Sequence, residues 1–236
     1  MSEIVIRENI PMHLEELKTW LETQKNVPLE EMGDFFTRRI EDYEEHMMLW
    51  QEGYREMAAL LPKSIETLLD LGCGTGLELD EILKLRPDLK VTGIDLCPAM
   101  LEKLREKHPE VNIICGDYFE TELGREVYDC VVSFESLHHF QLEKKQGLFE
   151  KIHTSLKPGG VFLEVDYLAA CQEEEELLMG FSRRKREAEG IPVDVFVHFD
   201  TPLTVEHEMG LLKNAGFSKV RWLKSIEGAS FLWNEK

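Results

Sequence analysis

The sequence predicts a doubly wound α/β sheet preceded by an N-terminal helical arm. Three observations carry this reading. Strand-like apolar runs alternate with helix-length segments from residue 65 to residue 167, the first run breaks into three closely spaced glycines, and the second ends in an aspartate. Strands separated by helical crossovers pair in parallel and connect right-handedly.

Each element follows from its own pattern. Residues 12–61 read as helices, because Leu14, Leu17 and Leu21, and later Met47, Trp50, Tyr54, Met57 and Leu61, recur at spacings of three and four. Pro62 closes the arm, so residues 1–62 form a helical lid and 63–236 the sheet domain. The expected order is strand 65–71, helix 77–85, strand 89–95, helix 98–107, strand 111–115, strand 127–134, helix 142–156 and strand 161–167. KPGG at 157–160 reads as a turn ahead of that last strand. A charged segment and an extended stretch then make an insertion around 171–201, in which Glu173, Glu174, Glu175 and Glu176 pair with Arg183, Arg184, Lys185 and Arg186 along a solvated helix face. Helix 204–215 and strands 217–224 and 228–233 finish the chain, punctuated by Gly216 and Gly228.

Composition narrows the function. The 236 residues suit one domain with a cap, and 46 acidic against 27 basic residues give a net charge of −19. That balance argues against nucleic acid as partner and favours small or cationic substrates. The five cysteines are odd in number and lack CxxC spacing, which fits reduced thiols and neither a disulfide framework nor a zinc site. No apolar run approaches about 18 residues, and MSEIVIRENI lacks a signal-peptide core, so a cytoplasmic protein without a membrane partner is expected.

The glycines point to a cofactor. Gly72, Gly74 and Gly76 follow a strand and open a helix, where positive φ lets the backbone approach a ligand that a Cβ would push away. Asp95, at the end of the next strand, is placed to accept from both hydroxyls of a ribose.

DLGCGTG over 70–76, Asp95, Gly116-Asp117, DCVVSFESLHHF over 129–140 and LKPGG over 156–160, in that order, resemble the class I S-adenosylmethionine-dependent methyltransferases. The glycine spacing differs by one residue from the GxGxxG of nicotinamide dehydrogenases. The resemblance spans about residues 40 to 234 and implies a Rossmann-like, seven-stranded, mostly parallel sheet with its last strand antiparallel. It implies S-adenosyl-L-methionine as cofactor. Gly72, Cys73, Gly74 and Gly76 would then border the methionine moiety and Asp70 receive its ammonium group. Asp95 would hold the ribose, Leu96 and Met100 wall the adenine, and Gly116, Asp117 and Tyr118 meet its amine and ring. Phe134 would border the methionine part, and Tyr43 would reach its carboxylate from the lid formed with Phe35, Phe36, Arg38 and Arg39.

Transfer of an activated methyl needs alignment and water exclusion and no metal; a hydroxyl acceptor would gain from a general base. His138, His139 and Glu135 follow the fourth strand and are the candidates for that catalytic role. Glu164 and Asp166 alternate on the fifth strand, which directs both carboxylates to one face, and solvation near the strand end is the simpler reading. Phe196, His198 and Phe199 are placed to close the acceptor pocket from the other side. The expected function is methyl transfer to a small molecule; no Asn-Pro-Pro-Tyr or Asp-Pro-Pro-Tyr element follows the fourth strand, as it does in base-modifying relatives. Alternatives are a carboxy-S-adenosylmethionine synthase of tRNA modification, although no arginine lies between Glu189 and Thr201 to pair with an added carboxylate, and a non-catalytic S-adenosylmethionine-binding protein. Nothing in the pattern excludes a homodimer.

Overall fold

The computed structural model describes residue 4 and residues 6–236, so positions 1–3 and 5 of the expected arm lie outside the described residues. The arm comprises α1 (Ile10–Gln24), α2 (Met32–Arg39), α3 (Tyr43–Met47) and α4 (Gln51–Leu60). Among the described residues, the strands are β1 (Thr67–Leu71), β2 (Lys90–Asp95), β3 (Asn112–Cys115), β4 (Tyr128–Phe134), β5 (Leu156–Tyr167), β6 (Lys219–Ile226) and β7 (Ala229–Glu235). They form one seven-stranded sheet in the order β3-β2-β1-β4-β5-β7-β6. From β1 to β5 all pairs are parallel, and β7 runs antiparallel between β5 and β6.

Helices α5 (Leu77–Leu85), α6 (Pro98–Lys107), α7 (Leu142–Ser155) and α9 (Val205–Asn214) cover the sheet, and α8 (Gln172–Glu189) forms the insertion. Because strand side chains alternate, β1 sends Leu68 to one core and Leu69 and Leu71 to the other, and β4 likewise splits Cys130 and Val132 from Val131. The chain winds outward through β2 and β3 and then returns to place β4 on the other side of β1. Ligands of open parallel sheets bind at that reversal, beyond the strands' carboxyl ends.

Two expectations change. KPGG is not a turn ahead of the strand: β5 starts at Leu156 and accommodates it as a bulge, with Gly159 at φ 76 and the β4–β5 register shifting between Tyr128 and Cys130. Only part of the α8 charge run is a solvated face: Glu173, Glu176, Arg183 and Arg184 are exposed, but two of its acids are not. Glu174 is buried and takes hydrogen bonds from Tyr167 Oη and Ala170 N and pairs with His13, while Glu175 binds Thr204 N at 2.6 Å and His207. These acids tie α8 to α1 and to the start of α9, so their partners lie across the tertiary structure and not along the helix.

Lys145 on α7 is fully buried and bonds Glu208 Oε1 of α9 at 2.6 Å, beside the buried Glu164 of β5. Removing one member of such a pair strands the other's charge in a low dielectric. Lys145→Met is expected to lower the unfolding free energy by about 3–5 kcal/mol in urea titration; a loss below about 1 kcal/mol would show that the pair is replaceable.

Candidate active site

At the carboxyl edge, Asp95 closes the glycine loop onto β2. Its carboxylate accepts from Gly74 N at 2.9 Å and from Cys97 N at 2.8 Å. Gly72, Gly74 and Gly76 have φ of 76°, 48° and 79°, and a Cβ on Gly72 would meet Ser136 Oγ at 2.1 Å. The glycines are therefore required by conformation and, at Gly72, by the β4 exit packing against the loop.

A crevice of about 690 Å³, counted out to its mouth, opens beside this loop. Tyr43, Gly72, Gly74, Asp95, Leu96, Met100, Gly116, Asp117, Tyr118, Phe134, Glu135 and His139 all line it. Asp70, Cys73 and Gly76 do not; Asp70 lies fully buried with neither carboxylate oxygen hydrogen-bonded. His138 lines a second, larger cavity of about 1460 Å³ between the arm and the sheet edge. Phe36, Tyr43, Glu135 and His139 border both spaces, so the two meet there.

The meeting point is built by β4's exit. Glu135 adopts φ 48°, a left-handed conformation unusual for a non-glycine residue, and its N–H bonds Val165 O at 2.8 Å. The chain then makes a single 3₁₀ turn, Leu137–His139. Asp166 holds that turn, accepting from Leu137 N at 2.8 Å, His138 Nδ1 at 2.5 Å and Tyr167 N at 2.9 Å. Glu164 and Asp166 are both fully buried, which overturns their expected solvation. Parallel pairing places the β5 carboxyl end beside the β4 exit, where Asp166 finds backbone donors.

The arm closes the second cavity. Residues 30–32 and 196–198 pair through Met32 N to Phe196 O at 3.0 Å and His198 N to Glu30 O at 2.9 Å. Phe35 lies between the Arg39 guanidinium, 3.7 Å from its ring centre, and the His198 imidazole at 3.4 Å. Arg39 is also paired with Glu30 at 2.8 Å. Trp50 both packs on the core and lines this cavity.

Residues 68–160 match the model of a methyltransferase domain. A carboxy-S-adenosyl-L-methionine synthase of Campylobacter concisus is 32% identical over 184 residues, which span 70% of this chain and 74% of that protein. The chain belongs to the class I S-adenosylmethionine-dependent methyltransferases. A malonyl-[acyl-carrier protein] O-methyltransferase of Acetivibrio thermocellus is 32% identical over 131 residues, covering 53% of the chain and 45% of that protein. Human N-acetylserotonin methyltransferase, solved in complex with SAM, superposes with a TM-score of 0.67 at 23% identity, over 95% of the chain and 66% of that longer protein. This last likeness speaks for the fold.

In this methyltransferase, the three catalytic candidates His138, His139 and Glu135 carry different charges. Burial pushes the His138 imidazolium toward neutrality, but the carboxylates of Asp166, Asp200 and Glu135 outweigh it and raise its pKa to about 9. Burial and the neighbouring His138 hold His139 below its ordinary value. Burial raises Glu135 to about 8. Near neutral pH, then, His138 is an imidazolium, Glu135 an undissociated acid, and His139 a neutral imidazole. Asp166, expected from the sequence to be solvated, and Asp200, not singled out there, are the acids that complete the site. Asp200 sits in an irregular segment, and hydrogen bonds from Thr201 N and Oγ1 to His138 O, 2.7 and 3.3 Å, bring it to the histidines.

No helix among the described residues is long and apolar enough to cross a membrane. The cysteines are free; Cys73, Cys97 and Cys130 are buried, whereas Cys115 is exposed.

The raised His138 value fixes a pH dependence. A group whose folded pKa lies above its unfolded 6.5 contributes stability that is complete below pH 6.5 and lost as pH rises through about 9. Unfolding free energy, measured in urea at pH 6 to 9, is expected to fall over this window with a shallower slope in His138→Gln. Equal slopes would mean that His138 is not charged in the folded protein.

Proposed function

We propose that this enzyme methylates an oxygen of a small molecule held in the larger cavity, with His139 as the base. The observation that carries the reading is the junction of the two spaces at Phe36, Tyr43, Glu135 and His139. S-adenosylmethionine, when bound in the crevice beside the glycine loop, supplies the activated methyl group.

The crevice residues fit that cofactor. Asp95 presents a carboxylate fixed by two backbone donors, Leu96, Met100 and Tyr118 offer apolar walls, and Asp117 an acceptor. Asp70 lies behind the glycine loop, fully buried beside Glu78 and off the crevice wall, where burial and that neighbouring acid raise its pKa well above the carboxylate range, so it is not among the cofactor's contacts. Gly72 and Gly74 leave the backbone open to close approach, and Tyr43, from the arm, covers the loop: a Cβ built on Gly74 would lie 3.5 Å from its hydroxyl. We assign residues 1–62 to a lid on the sheet domain.

On the acceptor side, Phe35, Phe36, Trp50 and Tyr167 line the cavity with rings, which favours an acceptor with an apolar or aromatic body. His139 Nδ1 is buried, has no hydrogen-bond partner and lies 3.3 Å from Asp200 Oδ1. Taking the acceptor's proton there makes an imidazolium that Asp200 stabilises. Glu135, protonated, can donate to the acceptor but not deprotonate it. An oxygen acceptor also accords with the relative named as an O-methyltransferase.

The second reading is a carboxy-S-adenosylmethionine synthase. It is favoured by the Campylobacter relative and by Arg7 and Arg39 in the larger cavity, against which Arg39 is already paired with Glu30. The mass of the ligand released from the purified protein separates the two.

Incubation with labelled S-adenosylmethionine and a panel of phenols, alcohols, carboxylic acids and amines is expected to give label on an oxygen. His139→Ala should lower kcat by about 10²–10⁴-fold and leave cofactor affinity unchanged. Affinity without transfer to any acceptor would favour a sensor, and full activity in His139→Ala would remove the base.

A further inference from the structure

The histidines at the junction have a second chemistry available to them. His138 Nε2 lies 3.6 Å from Asp200 Oδ1, His139 Nδ1 lies 3.3 Å from the same oxygen, and the three atoms fall within 4.8 Å of one another. For ligands about 2.0–2.2 Å from one ion, a tetrahedral arrangement sets neighbouring donor atoms roughly 3.4 Å apart. Two of the three separations are already at that spacing.

We propose that His138, His139 and Asp200 form a site for one divalent transition metal ion of the zinc class, with its remaining coordination position facing the larger cavity. Two imidazole nitrogens and a carboxylate oxygen make a donor set that suits zinc, iron(II) and cobalt(II) and disfavours calcium and magnesium.

Independent features support this. His139 is only 5% exposed at its side chain, yet its Nδ1 has no hydrogen-bond partner: Asp200 is near enough but misaligned for a hydrogen bond. Asp166 accepts from His138 Nδ1 and thereby turns Nε2 toward Asp200, the carboxylate–histidine arrangement that orients metal-binding imidazoles. The backbone fixes the span, because Thr201 N and Oγ1 both bond His138 O, at 2.7 and 3.3 Å. His198 is not one of the three clustered ligands; its ring stacks on Phe35. His138 and His139 are adjacent, but Asp200 lies 61 residues beyond His139 in an irregular segment, so no local spacing announces the set.

Ligation competes with proton abstraction for the His139 lone pair and releases the Nε2 proton of the His138 imidazolium, whose Nδ1 stays bonded to Asp166. The proposal therefore stands on the geometry of the three ligands and is read by binding, separately from turnover.

The test is titration of the full-length, tag-free protein with Zn²⁺ by calorimetry, and with Co²⁺ by visible absorption. One equivalent is expected to bind, with a cobalt spectrum of tetrahedral or five-coordinate type. Asp200→Ala is the decisive variant, because Asp200 is 40% exposed and its removal leaves the core packing intact. It should weaken Zn²⁺ binding at least tenfold, as should His139→Gln, while Cys115→Ser should not change it. Absence of stoichiometric binding, or wild-type affinity in Asp200→Ala, would overturn the proposal.

Discussion

One buried carboxylate organises the carboxyl edge of this sheet. Asp166 takes two backbone N–H groups and the His138 ring, and through them it holds the turn that leaves β4. Charge-assisted hydrogen bonds of this kind are strong where water is excluded, and the burial of Asp166 makes the arrangement costly to break. Its consequence is positional. The turn places Ser136 against Gly72, His139 between the two cavities, and His138 opposite Asp200.

The opposite wall follows the same logic. Asp95 holds the glycine loop through Gly74 N and Cys97 N, so the tip of β2 sets where the β1 loop sits. Both acids stand at carboxyl ends of parallel strands, on either side of the point where the strand order reverses. Between them the crevice and the larger cavity share a border that needs no rearrangement of the sheet. The arm completes the enclosure through the Arg39, Phe35 and His198 stack and the short pairing of residues 30–32 with 196–198.

The fold was legible because it rests on local signals. Helices at 77–85 and 98–107 stand where their patterns place them, and the three glycines have the positive φ that their spacing implied. Most of the crevice wall was legible for the same reason: motifs at strand ends fall at one edge of a parallel sheet. The larger cavity was legible only in part: Phe35, Phe36, Arg39, Glu135, His138, His139 and His198 stand on its wall as their sequence positions suggested, but its acids did not announce themselves. Asp166 reads as one more acid on a strand until β4 lies beside it, and Asp200 lies in a segment with no period at all. The buried acids of α8 were misread as a solvated face because their partners, His13, Tyr167 and His207, are remote or out of phase along the chain. KPGG was misread as a turn because a bulge within a strand has the same composition as a loop.

On the proposed reading, the crevice beside the glycine loop and the cavity under the arm are two halves of one reaction space that meet at His139. A crystal structure with S-adenosylhomocysteine tests it most directly. The ribose hydroxyls are expected on Asp95 and the sulfur directed at the border formed by Tyr43, Glu135 and His139. A sulfur pointing away from the larger cavity, or protein filling the passage between the two spaces, would contradict it.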